Sequence, residues 1–238
     1  MAQKINPVSF RLGTIQVWSN FFQNYGNYFN PYSLILHRQL QVTDYLNRFF
    51  STRNFIFDQS DWVFSNDKIF LNIQYVQKTK DVDKTNFSTL DSSELLKVTT
   101  KTTSQWFGIP VSIRLYEKNQ WLGTSNLLIN YVYFSAKQGN SFKKIIQNIC
   151  KMLTTHLNTI KISYSTKGVV RLSLKGFKIQ LAGRFDNSRN QMAKLMKQSI
   201  GSLPLTRLES YVEYSHKEFY TKHGVCGLQI WLFYEIVQ

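Results

Sequence analysis

The sequence is short of glycine, proline and cysteine, which number 11, 4 and 2 in a chain of 238 residues. Cys150 and Cys226 form neither a disulfide framework nor a Cys-x-x-Cys zinc knuckle, and a reducing compartment suits them. No apolar run approaches the ~20 residues that a membrane-spanning helix needs. The N-terminus lacks the apolar stretch of a secretory signal and the Arg- and Ser-rich pattern of a transit peptide. We therefore expect the protein to act where it is synthesised.

The sequence also lacks the motifs that are typical of a catalytic, metal or cofactor site. The 4 histidines show no ligand spacing and have no cysteine at zinc-knuckle distance. The chain contains no P-loop, no Gly-x-Gly-x-x-Gly and no Gly-x-Ser-x-Gly. The carboxylate pairs Asp81/Asp83 and Glu209/Glu213 are predicted to be solvated. We predict a protein that is not an enzyme and that needs no cofactor and no metal.

Acidic residues are scarce, with 14 Asp and Glu against 29 Lys and Arg, a net charge of +15. The excess is concentrated in the second half: residues 1–125 carry 13 basic and 9 acidic residues, and residues 126–238 carry 16 and 5. Such a basic module indicates a polyanionic partner, either nucleic acid or an acidic membrane surface. The abundance of Phe, Tyr, Asn, Ile and Lys is typical of an AT-rich gene and favours synthesis inside an organelle.

Hydrophobic periodicity in the first half predicts one helix and three strands. The helix covers residues 30–50, and the strands lie in RNFIFDQ, KIFLNIQYV and PVSIRLYE. Residues 77–105 are rich in Thr, Lys, Asp and Ser and lose all periodicity. We predict an exposed loop or weakly ordered insertion there.

The second half shows a clear amphipathic helix over residues 141–158. Its apolar residues gather on one face, and the opposite face carries Lys143, Lys144, Gln147 and Lys151. A strand is predicted at residues 176–185, then a helix at 189–200 that Ser188 caps and Gly201 ends. Two further strands are predicted in RLESYVEY and LQIWLFYE. The fold class is therefore α+β.

Gly224 and Gly227 form a Gly-x-x-Gly motif, which in KH domains clamps an RNA backbone. Here the motif encloses the apolar Val225 and Cys226 and leads directly into a predicted strand. A clamp has polar or basic residues facing the phosphates and leads into a helix. We predict a turn.

Short motifs at both ends of the chain resemble one known family. MAQKINPVSFRLG resembles a Gly-Gln-Lys-x-x-Pro-x-Gly-x-Arg-Leu-Gly signature, with Ala2 and Ser9 where glycines are common. GFKIQLAGRF resembles Gly-Ile-Lys-x-x-x-Ser-Gly-Arg-Leu, and YTKHGVCGLQIWLF resembles Tyr-Gly-Val-x-Gly-Val-x-Val-Trp-Ile. The chain is thus similar to the family of the third universal protein of the ribosomal small subunit.

The resemblance implies three segments. Residues 1–30 would be an N-terminal arm, and residues 31–118 a degenerate KH-like domain of type II with an insertion at about 77–105. Residues 119–238 would be the C-terminal ribosomal domain, with a mixed or antiparallel sheet and basic helices. The family's Gly-x-x-Gly clamp would lie near residues 77–90, but this chain has no glycine between Gly26 and Gly108.

The resemblance also implies a structural protein of the small-subunit head that binds rRNA and lines the channel through which mRNA enters. SFKKIIQ resembles the segment facing the message, which assigns mRNA contacts to Lys143, Lys144, Gln147 and Lys151. Contacts with rRNA are expected from Gln3, Lys4, Asn6, Arg11, Lys175, Lys178, Arg184, Arg189, Lys194, Lys197 and Arg207. The expected partners are small-subunit rRNA, mRNA and head proteins ten and fourteen, in the mitochondrial matrix, with no membrane span.

The N-terminal segment through Gly13 is expected to lie extended on rRNA. Pro7 discourages a helix, and Arg11 can pair with phosphate through two parallel hydrogen bonds.

Two other functional classes share the basic composition. A free single-stranded RNA- or DNA-binding protein, with nuclease chemistry as an option, would need a stacking platform or a carboxylate cluster. A protein of anionic membranes would need a basic amphipathic helix whose apolar face is free to insert. Sedimentation with the small subunit at rising salt separates a ribosomal component from both.

Overall fold

A computed structural model describes residues 5–18, 20, 32–53, 55–65, 68–77, 92–118, 123–185, 192–222 and 224–237. The chain divides into two units, one of residues 19–121 and one of residues 122–238 together with residues 1–18. Both units combine helices with a β-sheet, which confirms the mixed α+β class.

The elements follow one another in a mixed order. In sequence they are α1 (Pro7–Arg11), α2 (Tyr32–Thr52), β1 (Phe55–Phe64), β2 (Ile69–Gln77), α3 (Ser92–Phe107), β3 (Val111–Glu117), α4 (Ser125–Lys137), α5 (Phe142–Thr155), β4 (Ile160–Ser165), β5 (Gly168–Gly183), β6 (Lys194–Gly201), β7 (Tyr211–Thr221) and β8 (Gly224–Val237).

The unit of residues 19–121 is a three-stranded sheet with two helices. Its strand order is β1-β2-β3, with β1 and β2 antiparallel and β2 and β3 parallel. A parallel pair needs a crossover connection, and α3 lies in it. The core joins Leu46 and Phe50 of α2 to Leu71 and Ile73 of β2, all of them fully buried. The predicted helix and three strands of this half are all present.

The prediction of a loop over residues 77–105 is wrong for its second part, because α3 begins at Ser92. The buried side of this helix carries Thr99 and Thr103, whose hydroxyl groups donate to the carbonyls of Leu96 and Thr99 at 3.1 and 2.7 Å. A threonine whose hydroxyl donates to a carbonyl of the preceding helical turn can lie on the buried side of a helix in place of an apolar residue. The sequence of α3 therefore lacks the apolar periodicity from which a helix is normally predicted. Residues 78–91 of the tract lie outside the described residues.

The larger unit contains a five-stranded antiparallel sheet. Its strand order is β4-β5-β8-β7, and β6 also pairs with β5. Strand β5 is long: β4 pairs with its first part, β6 with its second part, and β8 along its opposite edge. The buried Phe177, Ile179 and Leu181 of β5 face the core together with Ile230 and Leu232 of β8.

The helix predicted over residues 189–200 is wrong, because residues 194–201 form strand β6. Its register with β5 runs from Gly183 opposite Lys194 to Gly176 opposite Gly201. At that end the two backbones touch, since a Cβ on Gly201 would overlap the carbonyl oxygen of Lys175. Pairing with a neighbouring strand overrides the local helix propensity of MAKLMKQSI. Ser188, the expected cap, lies outside the described residues.

In its described residues, 5–18, the N-terminal segment is not an extended arm. Asn6 accepts a hydrogen bond from the backbone N–H of Val8 at 3.0 Å, and Pro7 occupies the first turn of the short helix α1, where its missing N–H costs nothing. Arg11, at the end of α1, is completely buried. These residues therefore fold as part of the C-terminal unit, and the expectation of an extended conformation is corrected for them, whereas contact of the segment with rRNA stays a prediction.

The guanidinium group of Arg11 is held by backbone oxygens rather than by a carboxylate. It donates to the carbonyls of Pro7 at 3.0 Å and of Leu205 and Arg207 at 2.8 Å, and to the Ser210 hydroxyl at 3.1 Å. Burial lowers the pKa of Arg11. Its donors are directed into the protein, so the expectation that Arg11 pairs with an RNA phosphate is corrected as well.

The Gly-x-x-Gly motif lies at the end of a hairpin. Thr221 pairs with Gly224, whose φ of 125° is left-handed and favours glycine, and β8 starts there. All four residues of the motif therefore lie in strand β8, directly after the hairpin turn, and the prediction that the motif itself forms the turn is wrong.

We expect Arg11→Ala to lower the free energy of unfolding by about 3 kcal/mol or more, because it removes several hydrogen bonds to a charged donor and leaves their acceptors unpaired. Urea denaturation of the full chain measures this. Arg11→Lys, which keeps the positive charge but loses the planar guanidinium group with its several donors, should also destabilise the folded chain. The exposed Arg171→Ala is the control, with an effect of about 0.5 kcal/mol or less. An Arg11→Ala chain as stable as the control would contradict the structural role.

Candidate functional site

Helix α5 presents one basic face, as its periodicity predicts. Its buried residues are Ile145, Ile146, Ile149, Cys150 and Leu153. The four residues assigned to the opposite face, Lys143, Lys144, Gln147 and Lys151, are all exposed. The apolar side fixes the rotation of the helix, so the lysine ammonium groups point away from the core.

A groove of about 630 Å³ runs between α5 and β6. It is lined by Gln147, Cys150 and Lys151 of α5 and by Lys197, Gln198, Ser199 and Ile200 of β6. The thiol of Cys150 donates to the side-chain oxygen of Gln198 at 2.8 Å and ties the helix to the strand at the groove. The lining contains two lysines and no carboxylate, so the groove is electropositive.

The structure divides the predicted basic row of α5 into two parts. Gln147 and Lys151 line the groove, whereas Lys143 and Lys144 lie nearer the start of the helix and outside the lining. Lys197, on β6, lines the same groove as Lys151 of α5. The sequence did not predict that these two lysines share a groove, because residues 189–200 were expected to form a separate helix.

Three other cations that were expected to contact rRNA each have a different neighbour in the larger unit. Lys175 donates to Asn158 at 3.2 Å, Lys178 lies 4.7 Å from the ring centroid of Trp231, and Arg207 forms an exposed ion pair with Glu209 at 3.1 Å.

Several of the remaining expected rRNA contacts have structural surroundings of their own. Arg184 follows the end of β5, where its carbonyl accepts from the Cys226 thiol, and Lys194 is exposed at the start of β6. Asn6 caps α1. Gln3, Lys4 and Arg189 lie outside the described residues.

The site has binding groups but no activated nucleophile. Burial raises the pKa of Cys150 to about 11, so its thiol is neutral at physiological pH, and burial also raises the pKa of Cys226. No group of His, Cys, Asp or Glu side chains in the described part of the chain is arranged to hold a metal ion. Among the described helices, none has the length and apolar character to cross a membrane. The arrangement can hold phosphates and polar edges of a ligand.

Sequence reasoning missed a second pair of lysines. Lys137, at the end of α4, and Lys217, on β7, both lie over the ring of Tyr133. The sequence carries only a general signal for this pair, the excess of basic residues in residues 126–238, because α4 was not predicted.

Comparisons with known proteins agree with the terminal motifs. The family model described as "Ribosomal protein S3, C-terminal domain" matches residues 137–232. The chain is 41% identical over 236 residues to the small ribosomal subunit protein uS3m of Chondrus crispus, covering 98% of this chain and 94% of the relative. It is 26% identical over 246 residues to uS3c of Zea mays, covering 99% of both. It is 22% identical over 235 residues to uS3 of Blochmanniella floridana, covering 98% of this chain and 86% of that protein.

We expect Cys150 to react slowly with iodoacetamide in the folded chain at pH 8. A thiol with a pKa of about 11 has a thiolate fraction on the order of a hundredfold below that of an ordinary cysteine. Mass spectrometry of the Cys150 peptide, with the urea-unfolded chain as reference, measures the ratio. The rate should rise about tenfold per pH unit until the thiol titrates. Equal rates in the folded and unfolded chains would contradict the raised pKa.

Proposed function

The chain belongs to the ribosomal protein S3 family, and from that premise we propose that it binds ribosomal RNA and lines the path of mRNA into the small subunit. It is a structural, non-enzymatic component of the small ribosomal subunit, of the mitochondrial type. Its place is the mitochondrial ribosome.

The observation that carries the proposal is the groove between α5 and β6. Lys151 and Lys197 face it from two elements, and the lining has no carboxylate. Lysine contacts to phosphate position an RNA strand without reading its sequence, as a channel for every message requires. The side chains of Gln147, Gln198 and Ser199 add donors for phosphate and ribose oxygens.

We assign the mRNA side to the exposed face of α5. Lys143, Lys144, Gln147 and Lys151 keep the contacts that the family resemblance implies, and Lys197 extends them across the groove. A single strand in the groove could touch Lys151 and Lys197 together, so Lys197 serves mRNA in this proposal as well as rRNA.

The rRNA contacts are proposed for the remaining cations and polar groups. Asn6, Lys175, Lys178, Arg184, Lys194 and Arg207 keep this assignment, as do Gln3, Lys4 and Arg189. Arg11 is left out, because its donors are used inside the fold. The neighbouring proteins of the head, ten and fourteen by resemblance, remain proposed partners.

The unit of residues 19–121 is proposed to be a degenerate KH-like domain. The order helix, strand, strand, helix, strand and the parallel β2–β3 pair support this, since the family's clamp would lie in the connection between those strands. A backbone clamp needs glycines that let amide groups approach phosphates, and this connection has none before Gly108. We therefore propose that the unit does not grip RNA in the KH manner; nucleotides held by backbone amides of residues 77–105 would contradict this.

We expect the triple change of Lys143, Lys144 and Lys151 to Ala to slow translation of messages with a hairpin just downstream of the decoding site, and to affect unstructured messages less. The lysines would hold the incoming strand while its structure opens. The chain should fold normally, because exposed substitutions shift stability by about 0.5 kcal/mol or less each. Rates of peptide synthesis on variant small subunits, with paired messages that differ only in the hairpin, measure the effect.

The matched control changes three exposed lysines elsewhere, Lys97, Lys101 and Lys167, to Ala. It removes the same charge and should leave the ratio of the two rates unchanged. An equal defect of the α5 variant on both messages would instead point to rRNA binding during assembly. The absence of any defect would overturn the mRNA assignment.

A further inference from the structure

Lys137 and Lys217 converge on one aromatic ring. The ammonium nitrogen of Lys137 lies 4.4 Å from the ring centroid of Tyr133, and that of Lys217 lies 4.5 Å from the same centroid. Each contact alone is an ordinary cation–π interaction. Together they bring two positive charges close to each other, where they repel.

Lys217 occupies a position on β7 that faces the helices. Ser215 and Phe219, two residues before and after it on the same face, are buried. Its ammonium donates to the side-chain oxygen of Asn130 on α4 at 2.7 Å. Burial lowers the pKa of Lys217, and the positive charge of Lys137 lowers it further. The protonated side chain is therefore poorly solvated where it lies.

No carboxylate of the described residues forms an ion pair with either lysine. Glu218 follows Lys217 directly and so projects from the other face of β7, where the Tyr220 hydroxyl contacts it at 3.5 Å. Glu213 lies on the same face as Lys217 but is bonded to Lys161 at 2.6 Å. Lys217 is half-buried and Lys137 is exposed beside it. Two neighbouring like charges without a counterion, one of them partly desolvated, are unfavourable, and a bound anion would relieve them.

A chain of aromatic contacts connects the pair to the start of α5. The ring of Phe219 lies 5.7 Å from the ring of Tyr133 and 5.7 Å from that of Phe142, the first residue of α5. Lys143 and Lys144 come next in the helix. The pair thus lies near the end of α5 that carries these two lysines, whereas the groove lies further along.

We propose that Lys137 and Lys217 form a second phosphate-binding site, which takes a phosphodiester group of RNA and is separate from the groove between α5 and β6. The proposal rests on the proposed function in that RNA supplies the phosphate. A phosphate has several acceptor oxygens and can receive hydrogen bonds from two ammonium groups at once. Its negative charge offsets their repulsion, and the packed Tyr133 ring keeps both lysine side chains in place.

The first test is the salt dependence of RNA binding by the full chain. With single-stranded oligouridine as the probe, changing Lys137 and Lys217 to Gln should reduce the slope of log K against log salt by about 0.7, because the two lysines together hold one phosphate and each lost phosphate contact on a single strand removes about 0.7. The control changes the exposed Lys167 and Lys222 to Gln, with the same loss of charge. A salt slope equal to that of the control variant would contradict the phosphate site, and the two lysines would then only pack on the Tyr133 ring.

A second measurement needs no variant. Inorganic phosphate is titrated into the wild-type chain at constant ionic strength, and the NMR signals of the Lys217 ammonium and the Tyr133 ring are followed. We expect a saturable shift at both groups, because the anion sits between the charges. No shift there, with shifts confined to Lys151 and Lys197, would overturn the proposal and leave the groove intact.

Assembled small subunits distinguish the two sources of the phosphate. If it belongs to rRNA, the Lys137/Lys217 variant should dissociate from subunits at lower salt and those subunits should still bind mRNA. If it belongs to mRNA, incorporation should be normal and mRNA retention should fall. When both are unchanged while the α5 triple variant is defective, this inference fails and the proposed function stands. When the α5 variant is unaffected as well, the proposed mRNA assignment of α5 fails.

Discussion

The burial of one side of α5 in the core of the larger unit is the constraint on which the functional surface depends. Four aliphatic side chains, Ile145, Ile146, Ile149 and Leu153, lie in the core, and each such side chain contributes about 1.5–3 kcal/mol when it is fully buried. Turning the helix about its axis would expose them, so its orientation is fixed far more strongly than any charge could fix it. The location of the lysines on the outer face is therefore a result of core packing.

The sheet in turn supplies the second wall of the groove. Strand β6 can lie beside β5 only because the backbones meet at Gly176 and Gly201 without side chains between them. The hydrogen bond from Cys150 to Gln198 then connects β6 to α5. Binding groups that are far apart in sequence, Lys151 and Lys197, are held in one groove by hydrophobic and backbone contacts, which salt does not weaken.

Local patterns predicted the elements whose apolar residues are strongly periodic, and α5 and β2 are the clearest cases. They failed where the stabilising partner is distant. MAKLMKQSI has helix propensity, but its pairing with β5 decides its state, and α3 is buried partly through threonine hydroxyls. The basic face of α5 was predictable for the same reason as the helix itself.

The positions of Arg11, Lys197 and Lys217 were not predictable from local patterns. Most of the oxygens that hold Arg11 lie almost 200 residues away along the chain, and those of Leu205 and Arg207 belong to the backbone, which gives no sequence signal. A motif shared with a family marked Arg11 as important but could not separate a role in folding from a role in RNA binding.

The parallel pairing of β2 and β3 limits how the connection between them can vary. After β2 ends, the chain must travel back along the sheet before β3 can start in the same direction. The 16 residues of α3 span about 24 Å, close to the roughly 23 Å of the 7-residue β3, so this helix is long enough to provide the return path. In evolution, insertions and deletions before α3 should therefore accumulate freely, while the length of α3 itself stays nearly constant.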